Sequence, residues 1–201
     1  MRLALLTLLP AAGWCAAPDI DALLKQLARP APATTPFVEA HFLHLLTRPL
    51  VVAGKLEYLG PDALARTVES PYHERTEVRG EAVTLEREGS KPQHFSLQHA
   101  PEMKSLLGSF AALLSGDAAG LRREFDLDIS GDEASWTLQL TPRDAHVRSR
   151  ILSIVVAGRR DEPRCITTQQ PHDTTTVMLV SQAAEKPPPM ADRAWFDQQC
   201  K

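Results

Sequence analysis

The sequence predicts a mainly β protein of the α+β class, in which a single strongly curved antiparallel sheet forms an incomplete barrel. About ten short segments alternate apolar and polar residues, and glycine and proline turns separate them. One long apolar helical pattern, at residues 101–125, interrupts these segments. We expect the helices to cover the concave apolar face of the sheet.

Composition is consistent with one domain and argues against several classes of partner. The chain has 201 residues, of which 43% are hydrophobic, and its formal net charge is -3. This length and apolar content can supply a complete core. The charge gives no basis for nucleic acid binding, and no later segment approaches the roughly 20 apolar residues that span a bilayer.

Residues 1–17 are predicted to be a signal peptide that directs the protein to the periplasm. They carry one positive charge, an apolar run at Leu3–Leu9 and small residues near Ala16. The run is too short for a transmembrane anchor. Cys15 raises the alternative of a lipoprotein signal, but Trp14 occupies the position before it, where such a signal has a small residue. We therefore expect an exported protein without a lipid anchor.

One helix and several strands are predicted before the central helical segment. Asp19–Arg29 places its apolar residues on one side of a short amphipathic helix. In the first strand, Val38, Ala40 and Phe42 alternate with polar residues, so these three are predicted to form its apolar face. The strands of this half are predicted at residues 37–46, 50–59, 64–69, 72–79, 82–88 and 93–98.

The central helical segment has one apolar face and one face of small residues. Pro101 suits the first turn, and Gly116 suits the left-handed position after the last turn. Asp117 is predicted to cap a second, shorter helix that ends near Arg123. Gly108 costs about 1 kcal/mol relative to alanine inside a helix, so we expect another part of the chain to approach closely there. The residues at helical spacing on the apolar face are Met103, Leu106, Leu107, Phe110, Leu113 and Leu114.

The second half of the chain is again predicted to form strands, followed by a tail. Residues 18–181 are expected to form one domain. Residues 182–201 are expected to form a proline-rich tail that ends in a helical turn. The strands of this half are predicted at residues 125–130, 135–141, 150–157, 164–169 and 174–181.

Two cysteines remain once the signal peptide is removed, and we predict that they form a disulfide that ties the tail to the domain. Cys165 lies in a predicted strand and Cys200 is the penultimate residue. In an oxidising compartment, the bridge would close a loop of about 35 residues and stabilise the fold by about 3 kcal/mol. Two unpaired thiols are the alternative, and cysteines this far apart favour a bridge over a metal site.

The sequence has no pattern typical of catalysis or metal binding. Its seven histidines lack compact metal-ligand spacing, and His41 and His44 are predicted to point to opposite faces of one strand. It also lacks a phosphate-binding loop, a glycine-rich dinucleotide turn and a nucleophile elbow. We therefore expect a non-enzymatic protein without a cofactor or a metal.

The chain resembles the LolA family of periplasmic outer-membrane lipoprotein carriers. The resemblance rests on the strands PFVEAHF and GKLEYLGP, the segment LARTVESP, the helix MKSLLGSFAALLSGD and the hairpin residues WTLQLTP. These motifs are patterns of apolar and turn residues that extend over most of residues 19–181. The chain is most similar to the LolA-like branch often encoded with aryl-polyene or fatty-acid-type biosynthesis genes.

The resemblance implies a hydrophobic cavity between the helices and the sheet. Such a cavity would hold the acyl chains of a lipoprotein, or a lipid or glycolipid, during transfer from an inner-membrane release complex to an outer-membrane acceptor. A monomer is expected. The alternative is a non-catalytic periplasmic scaffold or adaptor of the same fold with a filled core. The residues expected to line the cavity and its helical lid are Phe42, Val52, Leu56, Tyr58, Leu64, Arg66, Met103, Leu106, Leu107, Phe110, Leu114, Trp136 and Leu138.

One position departs from the pattern of this family. The well-studied carriers have an arginine directly before the proline at the end of the second strand, and it locks the lid, whereas here Gly60 precedes Pro61. Arg66 is the nearest candidate replacement, on a different strand. If it shares the concave face with Leu64 and Val68, its charge requires a carboxylate, backbone carbonyls or an anionic lipid group. An outward, solvated Arg66 is the other orientation, and both remain open from the sequence.

Overall fold

Eleven antiparallel strands form one sheet within the part of the chain that the structure describes. The computed structural model describes residues 19–43, 48–99, 101–184 and 191–200, with only the backbone at Pro101, Glu102 and Leu106. The strands are β1 (Ala33–Phe42), β2 (Leu50–Gly60), β3 (Ala63–Ser70), β4 (Glu74–Arg79), β5 (Ala82–Arg87), β6 (Gln93–Ser96), β7 (Phe125–Gly131), β8 (Trp136–Pro142), β9 (Ser153–Arg159), β10 (Glu162–Gln169) and β11 (Thr175–Val180).

The sheet is open, as the sequence predicts. Its strand order is β6-β5-β4-β3-β2-β1-β11-β10-β9-β8-β7, so β6 and β7 form its two edges. Strands β1 and β11 join the two halves at the centre. The proposed signal peptide and the proline run at 187–189 lie outside the described residues, as does the predicted extension of the first strand through residues 44–46.

Three helices pack on one face of this sheet, which we call the inner face. They are α1 (Ile20–Leu27), α2 (Pro101–Ser115) and α3 (Ala118–Glu124). The inner face presents Phe37, Val52, Ile166 and Met178 to these helices, and Leu24 and Leu121 contribute to the same core. Within the described residues, no helix combines the length and apolarity that a membrane span needs.

Capping residues set the boundaries of these helices. Asp19 caps α1 by accepting a hydrogen bond from the Ala22 backbone N–H (3.2 Å), and Asp117 caps α3 by accepting one from the Gly120 N–H (2.8 Å). Gly116 separates α2 from α3 with φ +72°, the left-handed conformation that glycine adopts without strain. A Cβ at this position would lie 3.2 Å from the Leu24 carbonyl oxygen, so Gly116 also permits the close approach of α1.

The face of small residues on α2 is arranged differently from the prediction. Gly108 is exposed, and a Cβ there would meet only the Glu124 side chain, at 3.8 Å. No close approach therefore requires this glycine. Ser105 and Ser109 are the small residues that α2 buries.

The predicted apolar face of β1 is also corrected. Phe37, Val38, Glu39 and Ala40 are all buried, because β1 is central and both of its faces are covered. Val38, Ala40 and Phe42 lie on the outer face, away from the helices. Period-two alternation identifies two faces but cannot say which one is inner when both are buried.

The C-terminal tail covers part of the outer face and contains helix α5 (Arg193–Gln199). Asp192 caps this helix through the Trp195 backbone N–H (2.9 Å). Phe196 is fully buried, with its ring centroid 5.8 Å from that of Phe42. The predicted disulfide between Cys165 on β10 and Cys200 is present.

The sequence did not predict one short helix of the described residues. Helix α4 (Ala145–Arg148) precedes β9, which therefore begins at Ser153 rather than at residue 150. Asp144 is its N-cap and accepts hydrogen bonds from the His146 and Val147 backbone N–H groups, at 2.8 and 2.9 Å. An aspartate after Pro142 is the signal that would have identified it.

Gly108→Ala is expected to stabilise the protein by up to about 1 kcal/mol, because the added methyl group enters open space inside a helix. Gly54→Ala is the contrasting variant, since its Cβ would lie 1.9 Å from the Thr67 carbonyl oxygen on β3. We expect it to destabilise the fold strongly. Urea unfolding of both variants measures the difference, and a loss of stability in Gly108→Ala would contradict the described position of α2.

The paired substitution Cys165→Ser and Cys200→Ser is expected to lower the free energy of unfolding by about 3 to 4 kcal/mol, the chain-entropy contribution of a loop this long. Denaturant unfolding without reductant measures the loss. Reductant should lower the stability of the wild-type protein to that of the variant and leave the variant unchanged. Equal stability of oxidised wild type and variant would overturn the expectation.

Candidate ligand-binding cavity

A cavity of about 810 Å³ lies between α2 and the inner face of the sheet. Among the described side chains of α2, those that line the cavity are all apolar. The strands β1–β4 and β9–β11 supply the opposite wall, which mixes apolar residues with threonines and a few charged side chains. The residues of α2 that line the cavity are Met103, Leu107, Phe110, Leu113 and Leu114.

Exposed apolar or aromatic residues lie at the end of the cavity near the end of β1 and the start of β2. Leu50 and Tyr72 both line it, yet they are 46% and 40% exposed. Leu43, directly after β1, is 41% exposed. Exposed apolar residues therefore surround this end of the cavity.

Eight of the residues predicted from the sequence line the cavity. They come from β2, β3 and α2, which the helical and strand periodicities placed on facing surfaces. These residues are Leu56, Tyr58, Leu64, Arg66, Met103, Leu107, Phe110 and Leu114.

The other predicted residues lie elsewhere. Val52, Trp136 and Leu138 are at most 1% exposed and belong to the packed core beside the cavity. Phe42 points to the outer face and packs against the tail. The side chain of Leu106 lies outside the described part of the structure.

A charged cluster lies inside the cavity, on the strand wall. Glu39 on β1 is only 6% exposed, and its Oε1 accepts a hydrogen bond from Arg66 Nη2 on β3 (2.9 Å). The same oxygen lies 2.6 Å from His41 Nε2. His41 Nδ1 is 3.2 Å from Thr176 Oγ1 on β11. A neutral imidazole satisfies both contacts if Nε2–H donates to the carboxylate and Nδ1 accepts from the hydroxyl.

Strand register explains how Arg66 reaches Glu39. Phe37, Gly54 and Val68 are paired across β1, β2 and β3. Glu39 lies two residues after Phe37 on β1, and Arg66 lies two residues before Val68 on β3, so the two residues face each other diagonally across this row. Glycine leaves this row without a side chain on β2. The guanidinium carbon lies 4.8 Å from the centroid of the Phe37 ring, within the range of a cation–π interaction.

The environment of Glu39 favours its charged form. Burial acts to raise the pKa of the carboxyl group, but the hydrogen bond from His41 and the charge of Arg66 outweigh it. The net effect holds the pKa of Glu39 below its ordinary value of 4.5. The cluster is therefore a buried carboxylate whose charge Arg66 compensates.

The sequence leaves the orientation of Arg66 open and does not assign Glu39 or His41 to the cavity. The structure shows Arg66 turned inward and paired with a carboxylate. It does not replace the missing lid arginine, because its partner lies within the sheet. A glutamate and a histidine two residues apart in a strand share one face, and this spacing is the signal that could have identified them.

Hydroxyl, imidazole and carboxylate follow one another in the order seen in the acid–base relay of some hydrolases. Such a relay also needs hydrogen-bond donors for an oxyanion beside the hydroxyl. Thr176 lies between two paired strands, opposite His41 on β1 and Thr168 on β10. The sheet thus uses the backbone groups around Thr176 for strand pairing. Within the described residues, no group of His, Cys, Asp and Glu could hold a metal ion.

Helix α2 is attached to the rest of the protein near its two ends. Lys104 Nζ donates to Glu81 Oε1 at the β4–β5 turn (2.8 Å). At the other end, the Arg29 backbone N–H donates to the Leu114 carbonyl (2.8 Å). Gly60 has no side chain with which to reach α2, and a Cβ there would contact nothing within 4 Å.

A family model described as outer membrane lipoprotein carrier protein LolA-like matches residues 12–201 of the chain. No curated protein matches the sequence.

Several solved structures are similar at low identity. A LolA superfamily protein from Nitrosomonas europaea is 10% identical, with 83% of this chain and 93% of that chain covered, at a TM-score of 0.48. A putative outer membrane lipoprotein-sorting protein domain from Vibrio parahaemolyticus is 10% identical, with 89% and 95% covered, at 0.42. The MucA/MucB complex of Pseudomonas aeruginosa is matched at 12% identity, with 82% of this chain but 56% of that chain covered, at 0.43.

Glu39→Gln is expected to lower the free energy of unfolding at neutral pH by about 1 to 3 kcal/mol, the range for a lost hydrogen bond to a charged group. Because the folded pKa of Glu39 is depressed, its contribution is fully present above the ordinary value of 4.5 and is lost as the pH falls through the folded pKa. The stability difference between wild type and variant should therefore narrow in acid.

Urea unfolding at neutral pH and at several acidic pH values measures this difference. Glu81→Gln, at an exposed ion pair with Lys104, is the control and should change the stability much less than Glu39→Gln does. A difference between wild type and Glu39→Gln that does not change with pH would show that the carboxylate contributes no linked stability.

Proposed function

Because the chain belongs to the family of outer membrane lipoprotein carrier LolA-like proteins, we propose that it is a periplasmic carrier. In this proposal, the cavity under α2 binds acyl chains of lipoproteins or lipids and carries them toward the outer membrane. The signal peptide, a monomeric state and the two membrane partners, an inner-membrane release complex and an outer-membrane acceptor, belong to the same proposal.

The observation that carries the proposal is the cavity of about 810 Å³, which is lined on α2 by apolar residues among the described side chains. Its volume falls within the range of small-molecule binding sites. Transfer of a chain from water gains roughly 0.8 kcal/mol per buried methylene. A chain with ten buried methylenes would retain several kcal/mol after ordering costs. Affinity of this size allows the cargo to be released.

Exposed apolar and aromatic residues near one end of the cavity support transfer. Leu43, Leu50 and Tyr72 are exposed there, although they are apolar or aromatic. Such residues can stay in contact with a chain as it enters or leaves, so less of its apolar surface crosses water. A scaffold with a filled core, the alternative of the same fold, needs neither a cavity nor exposed apolar residues beside it.

Leu107→Asp should weaken ligand binding at least about tenfold, because a carboxylate on the α2 wall must lose its hydration when a chain enters. Leu107 is half-buried and lines the cavity, so water in the empty cavity can solvate the new charge. Titration with N-phenyl-1-naphthylamine, an uncharged dye that fluoresces in apolar surroundings, measures the affinity.

Gly108→Asp is the matched control, since it places the same charge on the exposed side of the neighbouring residue. This variant should bind the dye as the wild type does. Circular dichroism and urea unfolding establish that both variants are folded. A wild-type protein that shows no saturable dye binding and no co-purifying lipid would favour the scaffold over the carrier.

A further inference from the structure

We infer that Glu39 determines which acyl compounds the cavity accepts: by neutralising Arg66, it selects chains attached to uncharged ester or amide groups and disfavours free fatty acid anions. This inference rests on the proposed function, because it concerns the ligand of the same cavity. It assigns a specificity role to Glu39 and Arg66.

Arg66 is the group that a ligand must accommodate. Its side chain lines the cavity and is 27% exposed. One N–H group of the guanidinium donates to Glu39, and one face lies over Phe37. Within the described part of the chain, Glu39 is its hydrogen-bonding partner, which leaves further N–H donors of the guanidinium for a ligand in the cavity.

A ligand that fills the cavity displaces the water around these donors. A plain hydrocarbon would leave them without partners, and an unpaired donor on a charged group is costly to bury. The bound molecule therefore needs hydrogen-bond acceptors at the level of Arg66. The apolar α2 wall offers no acceptor side chain among the residues that line the cavity.

Charge decides which kind of acceptor fits. Glu39 and Arg66 carry opposite charges and their side chains are in direct contact, so the pair is already neutral. A fatty acid carboxylate beside Arg66 would bring a second anion close to a buried one, and the repulsion is strong because little water is present to screen it. An ester or amide carbonyl offers the same acceptor without adding charge.

His41 also lines the cavity and contacts the Glu39 carboxylate, and in its neutral form it adds no charge to the pair. Arg29 lies at the opposite end of β1, where its guanidinium donates to the Gln26 and Asp161 carbonyls. Glu57 pairs with Arg75, and Glu162 also lines the cavity. Among the described lining residues, Arg66 and Arg29 are the arginines, and no lysine accompanies them.

The test compares two ligands that share one acyl chain, 1-dodecanoylglycerol and dodecanoate. Each ligand displaces N-phenyl-1-naphthylamine from the protein at a pH of about 8, where the dodecanoate carboxylate is ionised. The wild-type protein should bind the glycerol ester at least about tenfold more tightly than the anion. Glu39→Gln leaves Arg66 without a counterion, so the variant should shift this ratio at least about tenfold toward the anion.

The double variant Glu39→Gln with Arg66→Met removes both charges and should restore the preference for the ester, which attributes the shift to Arg66. A native circular dichroism spectrum and a cooperative unfolding transition show which variants are folded. Equal binding of both ligands by the wild type, or a ratio unchanged in Glu39→Gln, would overturn the inference alone. If the dye and both ligands fail to bind the wild type, the carrier proposal itself fails.

Discussion

The pairing of β1 with β11 is the constraint on which the rest of the structure depends, because it joins the two halves of the sheet. Six residue pairs connect the strands, from Phe37 opposite Val180 to Phe42 opposite Thr175. The side chains of His41 and Thr176, which meet across this pair, are 135 residues apart in the chain. A central pair like this cannot leave either face in water, so the helices cover one face and the disulfide-linked tail covers the other.

The tail and α2 pack differently on the two faces of the sheet. On the outer face, the tail fills the space with Phe196 and leaves a packed second core. On the inner face, α2 is attached near its ends, by Lys104 to Glu81 and by Leu114 to Arg29, and spans an unfilled volume between them. An unfilled apolar volume loses dispersion contacts that a ligand can restore. A ligand that binds the folded state would therefore also stabilise it.

Local signals explain why much of this architecture was predictable. The helical spacing of the apolar residues in α2, the left-handed Gly116 and the cap at Asp117 are local features, and the structure retains all three. The inner and outer faces of β1 were not predictable, because burial there depends on two covers that are distant in sequence. Nor can a list of apolar residues distinguish those that fill a core, such as Trp136, from those that border a cavity.

The polar cluster bears on the binding role proposed for the cavity. A buried ion pair is rarely the most stable choice for a core, since apolar residues of similar size often serve as well or better. The strand wall nevertheless holds Glu39 and His41 on β1 and Arg66 on β3, with their hydrogen bonds matched to one another. Their geometry leaves the guanidinium directed toward the cavity rather than closed off from it. Polar groups placed in this way give orientation and specificity to an apolar site, which agrees with the proposed carrier.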